Sequence, residues 1–153
     1  MTPTEQTKEK ILTIPSLKFF DDDWNLLQKF LKSKGNPKWK MSGDLVLHET
    51  PIETLGNLQS VDGYLFLSEA PIESLGSLTS VGSNLILSYT PIETLGNLIS
   101  VGGSLVLLHT QIESLGNLEY VGGDLYIEGS LLSKTISEGD IKSKITVESG
   151  IYM

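Results

Sequence analysis

The chain has no cysteine, no arginine and only two histidines, His48 and His109, in 153 residues. Without cysteine there is no disulfide framework and no thiolate nucleophile or metal ligand. No apolar run approaches the roughly 20 residues that a membrane-spanning helix needs. The opening MTPTEQTKEK lacks the apolar core of a signal peptide. There is no N-x-S/T sequon, no phosphate-binding loop, no G-x-S-x-G and no H-E-x-x-H. These absences predict a non-enzymatic protein without metal or cofactor. They predict a cytoplasmic protein. Lysine is missing from the whole middle of the chain. Residues 41–130 hold eleven carboxylates and no cation, whereas all eleven lysines lie in the flanks beside eight carboxylates. The overall charge of −8 therefore hides an acidic middle and mildly basic ends. Phosphate binding requires cations, so the middle segment is not expected to bind nucleic acid directly.

What is present is repetition. PIETLGNLQSVDGYLFLSEA begins at Pro51, PIESLGSLTSVGSNLILSYT at Pro71, PIETLGNLISVGGSLVLLHT at Pro91 and QIESLGNLEYVGGDLYIEGS at Gln111. A fixed period of twenty without insertions marks a solenoid, in which each unit buries its apolar side by stacking on its neighbours. Leu45, Leu65, Leu85, Leu105 and Leu125 form one column. Two residues on stand Leu47, Leu67, Leu87, Leu107 and Ile127. This L-x-L alternation predicts short strands stacked in parallel about 4.8 Å apart. The columns that begin at Ile52, Leu55, Leu58 and Val61 supply the rest of the core. The return segment is too short and too glycine-rich for a full helix, so turns or 3₁₀ structure are expected there. Gly56, Gly76, Gly96 and Gly116 are expected at tight bends with positive φ, and so are the pairs 102–103 and 122–123. Thr50, Thr90, Thr110 and Ser130 are expected to bond to the turn of the next coil.

The segment L-x-L-x-x-T-x-I resembles the leucine-rich repeat, with threonine where that family has asparagine. The V-G-G-x-L-x-L motif is similar to the L domains of growth-factor receptors and fungal wall proteins. Residues 41–130 also resemble small leucine-rich-repeat-like proteins of bacteriophages, which share the wording T-P-I-E-S-L-G-N-L-x-S-V-G-G-x-L. The resemblance implies an α/β leucine-rich-repeat-like solenoid with a parallel sheet of about six strands. It carries over no activity, because such repeats are binding scaffolds with diverse partners.

The flanks complete a single domain over residues 1–153. Residues 1–40 read as an N-terminal helical cap, which covers the core of the first coil. A short helix is expected over residues 4–11. A second is expected after Asp21, Asp22 and Asp23, with Trp24, Leu27, Phe30 and Leu31 on one face and Gly35 and Pro37 at its end. The three aspartates are read as helix cap and solvated neighbours, and the Lys29, Lys32, Lys34, Lys38 and Lys40 cluster as a solvated face. Residues 131–153 read as a C-terminal cap. A short helix is expected from Ser137 to Lys144, and Val147–Met153 repeats Val121–Ile127 at an offset of 26 to give a last strand.

Two surface features invite function. Glu53, Glu73, Glu93 and Glu113 form one acidic ladder, read as a solvated row. The middle residue of each L-x-L strand points outward, yet this column is Val46, Phe66, Ile86, Val106, Tyr126 and Tyr152, with Tyr64, Tyr89 and Leu108 beside it. A solvated sheet face would be polar here. The expectation is a protein-binding module that works through Tyr64, Phe66, Ile86, Tyr89, Val106, Leu108, Tyr126 and Tyr152, either on a protein partner or on a second copy. A host-directed phage protein is the favoured setting. A structural or adhesive virion component and an acidic mimic of nucleic acid are the alternatives. His48 and His109 stand three strand spacings apart, about 14 Å, too far for one metal or dyad, and are placed at the binding face or in solvent.

Overall fold

The computed structural model describes residues 11–153. Its strands and helices, in chain order, are β1 (Leu12–Ile14), α1 (Trp24–Ser33), β2 (Trp39–Met41), β3 (Leu45–Val46), β4 (Leu58–Val61), β5 (Leu65–Phe66), β6 (Ser80–Val81), β7 (Leu85–Ile86), β8 (Ser100–Val101), β9 (Leu105–Val106), β10 (Tyr120–Val121), β11 (Leu125–Tyr126), α2 (Glu138–Lys144), β12 (Thr146–Val147) and β13 (Ile151–Tyr152). Short 3₁₀ turns cover Leu17–Phe20 and Leu132–Lys134.

The repeats wind into a parallel β-solenoid with two sheets. One has six strands in the order β13-β11-β9-β7-β5-β3 and the other seven, β1-β2-β4-β6-β8-β10-β12. The six-stranded sheet is the one the L-x-L columns predict. Leu65 pairs with Leu85 and Leu85 with Leu105, one repeat apart. The seven-stranded sheet corrects the expectation of a return made only of turns. Ser60 and Val61 pair with Ser80 and Val81, and these with Ser100 and Val101. β6, β8 and β10 each send a single valine inward, so no alternation betrays them. A third side of the coil is tied by isolated bridges, Thr54 to Ser74 and Thr94 to Ser114, and by backbone bonds such as Ser77 N–H to the Gly56 carbonyl.

Inside the coils the leucine, isoleucine and valine columns are buried. Leu65, Leu85, Leu105 and Leu125 are fully inaccessible, and so are Leu67, Leu87, Leu107 and Ile127. This continuous apolar stack is the main source of stability, since burying one such side chain is worth about 1.5–3 kcal/mol.

The glycines divide by cause. Gly56, Gly76, Gly96 and Gly116 have φ between 56° and 61°, as expected for the tight bend. The pairs at 102–103 and 122–123 do not have positive φ. They are small because coils approach closely there: a Cβ on Gly102 would land on the Gly82 carbonyl oxygen, and one on Gly122 on the Gly102 oxygen. The hydroxyl column also departs from expectation. Thr90, Thr110 and Ser130 donate to the carbonyls of Leu87, Leu107 and Ile127, three residues back in their own coil. The stitch between coils comes instead from the position just before each strand of the six-stranded sheet. Asp44 Oδ1 accepts from Tyr64 N–H, Asn84 Oδ1 from Ser104 N–H, Ser104 Oγ from Asp124 N–H and Asp124 Oδ1 from Gly150 N–H.

The ends obey the same chemistry. Asp23 caps α1 by accepting from Asn25 and Leu26 N–H, while Asp21 and Asp22 stay exposed. Trp24, Leu27 and Leu31 are buried, and the Trp24 ring lies 5.9 Å from that of Trp39. β1 has no counterpart in the sequence reading; it pairs in parallel with β2, Leu12 opposite Trp39. The helix expected over residues 4–11 falls outside the described residues except for Ile11, which is not helical. At the other end Ser137 and Asp140 form a reciprocal capping box on α2. The Ser137 hydroxyl and backbone N–H hold the Asp140 carboxyl below its ordinary pKa. Leu125 and Tyr126 then pair with Ile151 and Tyr152, the predicted offset of 26.

Candidate functional site

The outer face of the six-stranded sheet is built by the alternation that buries the leucines. Because Leu65 and Leu67 point in, Phe66 between them points out. The same holds for Val46, Ile86, Val106 and Tyr126, and for Tyr152 at the end of the stack. Val46 is 52% exposed and Tyr152 45% exposed, while Phe66, Ile86, Val106 and Tyr126 are half-buried by their neighbours on the face. Six strands spaced about 4.8 Å apart give the face a length of roughly 24 Å along the stack.

Aromatic rings on this face are paired. Tyr126 and Tyr152, in register on β11 and β13, stack with centroids 4.7 Å apart and planes within 11°. Tyr89 and His109, one repeat apart on the turn beyond the strands, stack at 5.0 Å. The His48 ring lies 5.2 Å from that of Phe66. The histidines are therefore part of the aromatic surface. Val46, Phe66, Ile86, Val106, Tyr126 and Tyr152 stand in register on neighbouring strands. Tyr64 stands at the near edge of the face, in a small groove shared with Leu17, Val46 and Lys18. Leu108 stands half-buried on the far edge.

The far edge carries a backbone signature. Glu49, Glu69, Tyr89 and His109 all have left-handed φ, between 54° and 64°, and Gly129 continues the column at 73°. Large side chains are uncommon in that region. The repeat holds them there, exposed beside the strand face. Only Gly129, the relaxed member, could have signalled this conformation in the sequence. Just inside the column, Ser88 is buried, and its hydroxyl has no hydrogen-bond partner.

The charges at the rim are all negative on the repeat itself. Glu49 and Glu69 stand exposed at one end of the far edge and Glu128 at the other. His48 Nδ1–H donates to the Ser68 carbonyl at 2.9 Å, and Nε2 lies 3.8 Å from a Glu49 carboxylate oxygen. His48, Glu49 and Glu69 bring their ligand atoms within 4.8 Å of one another, all of them exposed. At the last coils, partial burial and then the Asp124 charge push the Tyr126 phenol above its ordinary pKa. Its hydroxyl lies 3.4 Å from Asp124.

Two other features lie off this face. The Glu53, Glu73, Glu93 and Glu113 ladder is exposed on the third side of the coils. An open groove of about 860 Å³ separates the last repeats from the C-terminal segment, between Ile99, Leu115 and Leu118 on one side and Ile136 and Ile145 on the other. No helix among the described residues is long and apolar enough to cross a membrane. Comparison with protein-family models, with curated proteins and with solved structures gives no match.

Proposed function

We propose that the chain is a capped, leucine-rich-repeat-like binding module. It acts without catalysis, by docking another protein on the open face of the six-stranded sheet. The setting favoured by the repeat wording is a bacteriophage protein directed at a protein of the bacterial host. The observation that carries this reading is the outward column of the strands, which is apolar and aromatic where a solvated sheet is polar. The core columns hardly vary from coil to coil, whereas this column runs Val46, Phe66, Ile86, Val106, Tyr126, Tyr152. Rigid aromatic side chains offer contact area at low entropic cost and dominate binding hot spots.

The test is the Phe66→Ser, Tyr126→Ser double variant, compared with the parent in capture from bacterial lysate and in light scattering. The expected result is loss of the captured protein, or of a dimer if the face is a seam between copies, with melting little changed. Retention of both partner and oligomeric state would remove the strand face from consideration. Loss of capture on neutralising Glu53, Glu73, Glu93 and Glu113 instead would favour mimicry of nucleic acid.

A further inference from the structure

The strand face offers apolar and aromatic contact along its middle and negative charge at both ends. The face positions of the middle coils, Ile86, Tyr89, Val106, Leu108 and His109, include no carboxylate, and Glu93 of the same stretch belongs to the ladder on the third side. Glu49 and Glu69 stand at the N-terminal end of the far edge, and Glu128 at the C-terminal end, all exposed. Four strand spacings separate the coils of Glu49 and Glu128, about 19 Å along the stack. On the near edge Asp44 and Asp124 add charge at the same two ends. Lys18 of the N-terminal segment shares the small groove with Asp44. Residues 41–130 contain no lysine or arginine to neutralise these groups.

Acidic side chains beside an apolar surface repel one kind of partner and attract another. An acidic or phosphate-bearing partner would bring like charges together, which is destabilising at an interface. A partner with its own lysines or arginines at the matching ends would form ion pairs at the rim and be drawn in by the field of the acidic repeat. Resting on the binding role proposed above, we infer that the occupant of the strand face is a basic polypeptide segment. Its middle is apolar or aromatic, and it carries lysine or arginine at both ends, spaced to meet Glu49 and Glu69 on one side and Glu128 on the other. The middle supplies the contact area, and the ends supply orientation and speed of association.

The test uses the full chain and a fluorescent synthetic peptide with four apolar residues between two pairs of lysine and arginine. Its partner probe has glutamate in place of every cation. Anisotropy titrations at low and high salt are compared for the parent, for the rim variant Glu49→Gln, Glu69→Gln, Glu128→Gln, and for a ladder variant with the same number of lost charges, Glu53→Gln, Glu73→Gln, Glu93→Gln. The rim substitutions are exposed, and equal melting temperatures verify that all three proteins fold. The expected result is binding of the basic peptide alone. The rim variant should weaken it about tenfold, at a few-fold per exposed ion pair, and lose most of its salt dependence, while the ladder variant changes it less than about twofold. Equal weakening by both variants would mean attraction to net charge alone and would overturn the inference. So would binding of the acidic peptide, or a rim variant indistinguishable from the parent. In each of those cases the Phe66→Ser, Tyr126→Ser variant separates the two ideas. If it still loses the captured protein, the strand face remains a binding surface for a partner of other chemistry. A concentration-dependent dimer that the rim substitutions dissociate would make the occupant a second copy and would overturn a separate basic segment.

Discussion

Single residues in this protein are constrained by the coil above or below at least as much as by their chain neighbours. Gly96 and Gly102 are six residues apart, yet they are glycine for different reasons. Gly96 has φ of 56° and open space where a Cβ would go. Gly96→Ala should therefore cost the left-handed penalty alone, about 1–2 kcal/mol. Gly102 has an ordinary φ, but its Cβ would collide with backbone of the coil before it. Backbone cannot swing aside, so Gly102→Ala should destabilise clearly more than Gly96→Ala in urea unfolding. The opposite ranking would mean that the coils can slide apart at that corner. Ser88 supplies a gain. Its hydroxyl is buried with no partner, and an orphaned polar group costs about 1–3 kcal/mol. Ser88→Ala should raise the unfolding free energy by about 1 kcal/mol and move the urea midpoint up accordingly.

At the level of elements, what holds one strand to the next is partly side chain. Asn84 accepts from Ser104 N–H at 2.8 Å across one repeat. Asn84→Ala strands that amide and should cost about 1 kcal/mol. Asn84→Asp keeps an acceptor and should cost much less; equal losses in chemical denaturation would deny the stitch its role. Elements differed in how far they could be read from residue types. The six-stranded sheet was legible because Leu65 and Leu67 flank an outward residue, so alternation survives even in a strand two residues long. The seven-stranded sheet was not, because Ser80 and Val81 contribute one inward side chain and no period. β1 was hidden because its partner, Trp39–Met41, lies 27 residues on and Pro15 reads as a boundary. The candidate site was legible as a column of outward residues, since Tyr126 and Tyr152 fall at corresponding places of the repeat. The ring pair of Tyr89 with His109 was not, because the left-handed turn that carries it looks like Glu, Glu, Tyr and His in the sequence.

For the molecule as a whole, the register from Pro51 to Ser130 has a consequence for length. Every coil between β4 and β11 begins and ends at equivalent points, and Ala70 stands where Thr90 stands one repeat later. Excising Pro71–Thr90 joins Ala70 to Pro91 and should leave a folded chain with the same two ends. It should unfold cooperatively but with lower stability, because one unit and one nearest-neighbour interface are gone. A product that fails to fold would show that the repeats are not interchangeable. In the shortened chain Phe66 would stand next to Val106, and the distance between Glu49 and Glu128 would shrink by one strand spacing, about 4.8 Å. The number of repeats thus works as a ruler. A partner gripped at both ends should tolerate the loss poorly, and one gripped at a single end should not notice it. Adding a copy of the same twenty residues would lengthen the scale by one division without redrawing either terminal mark.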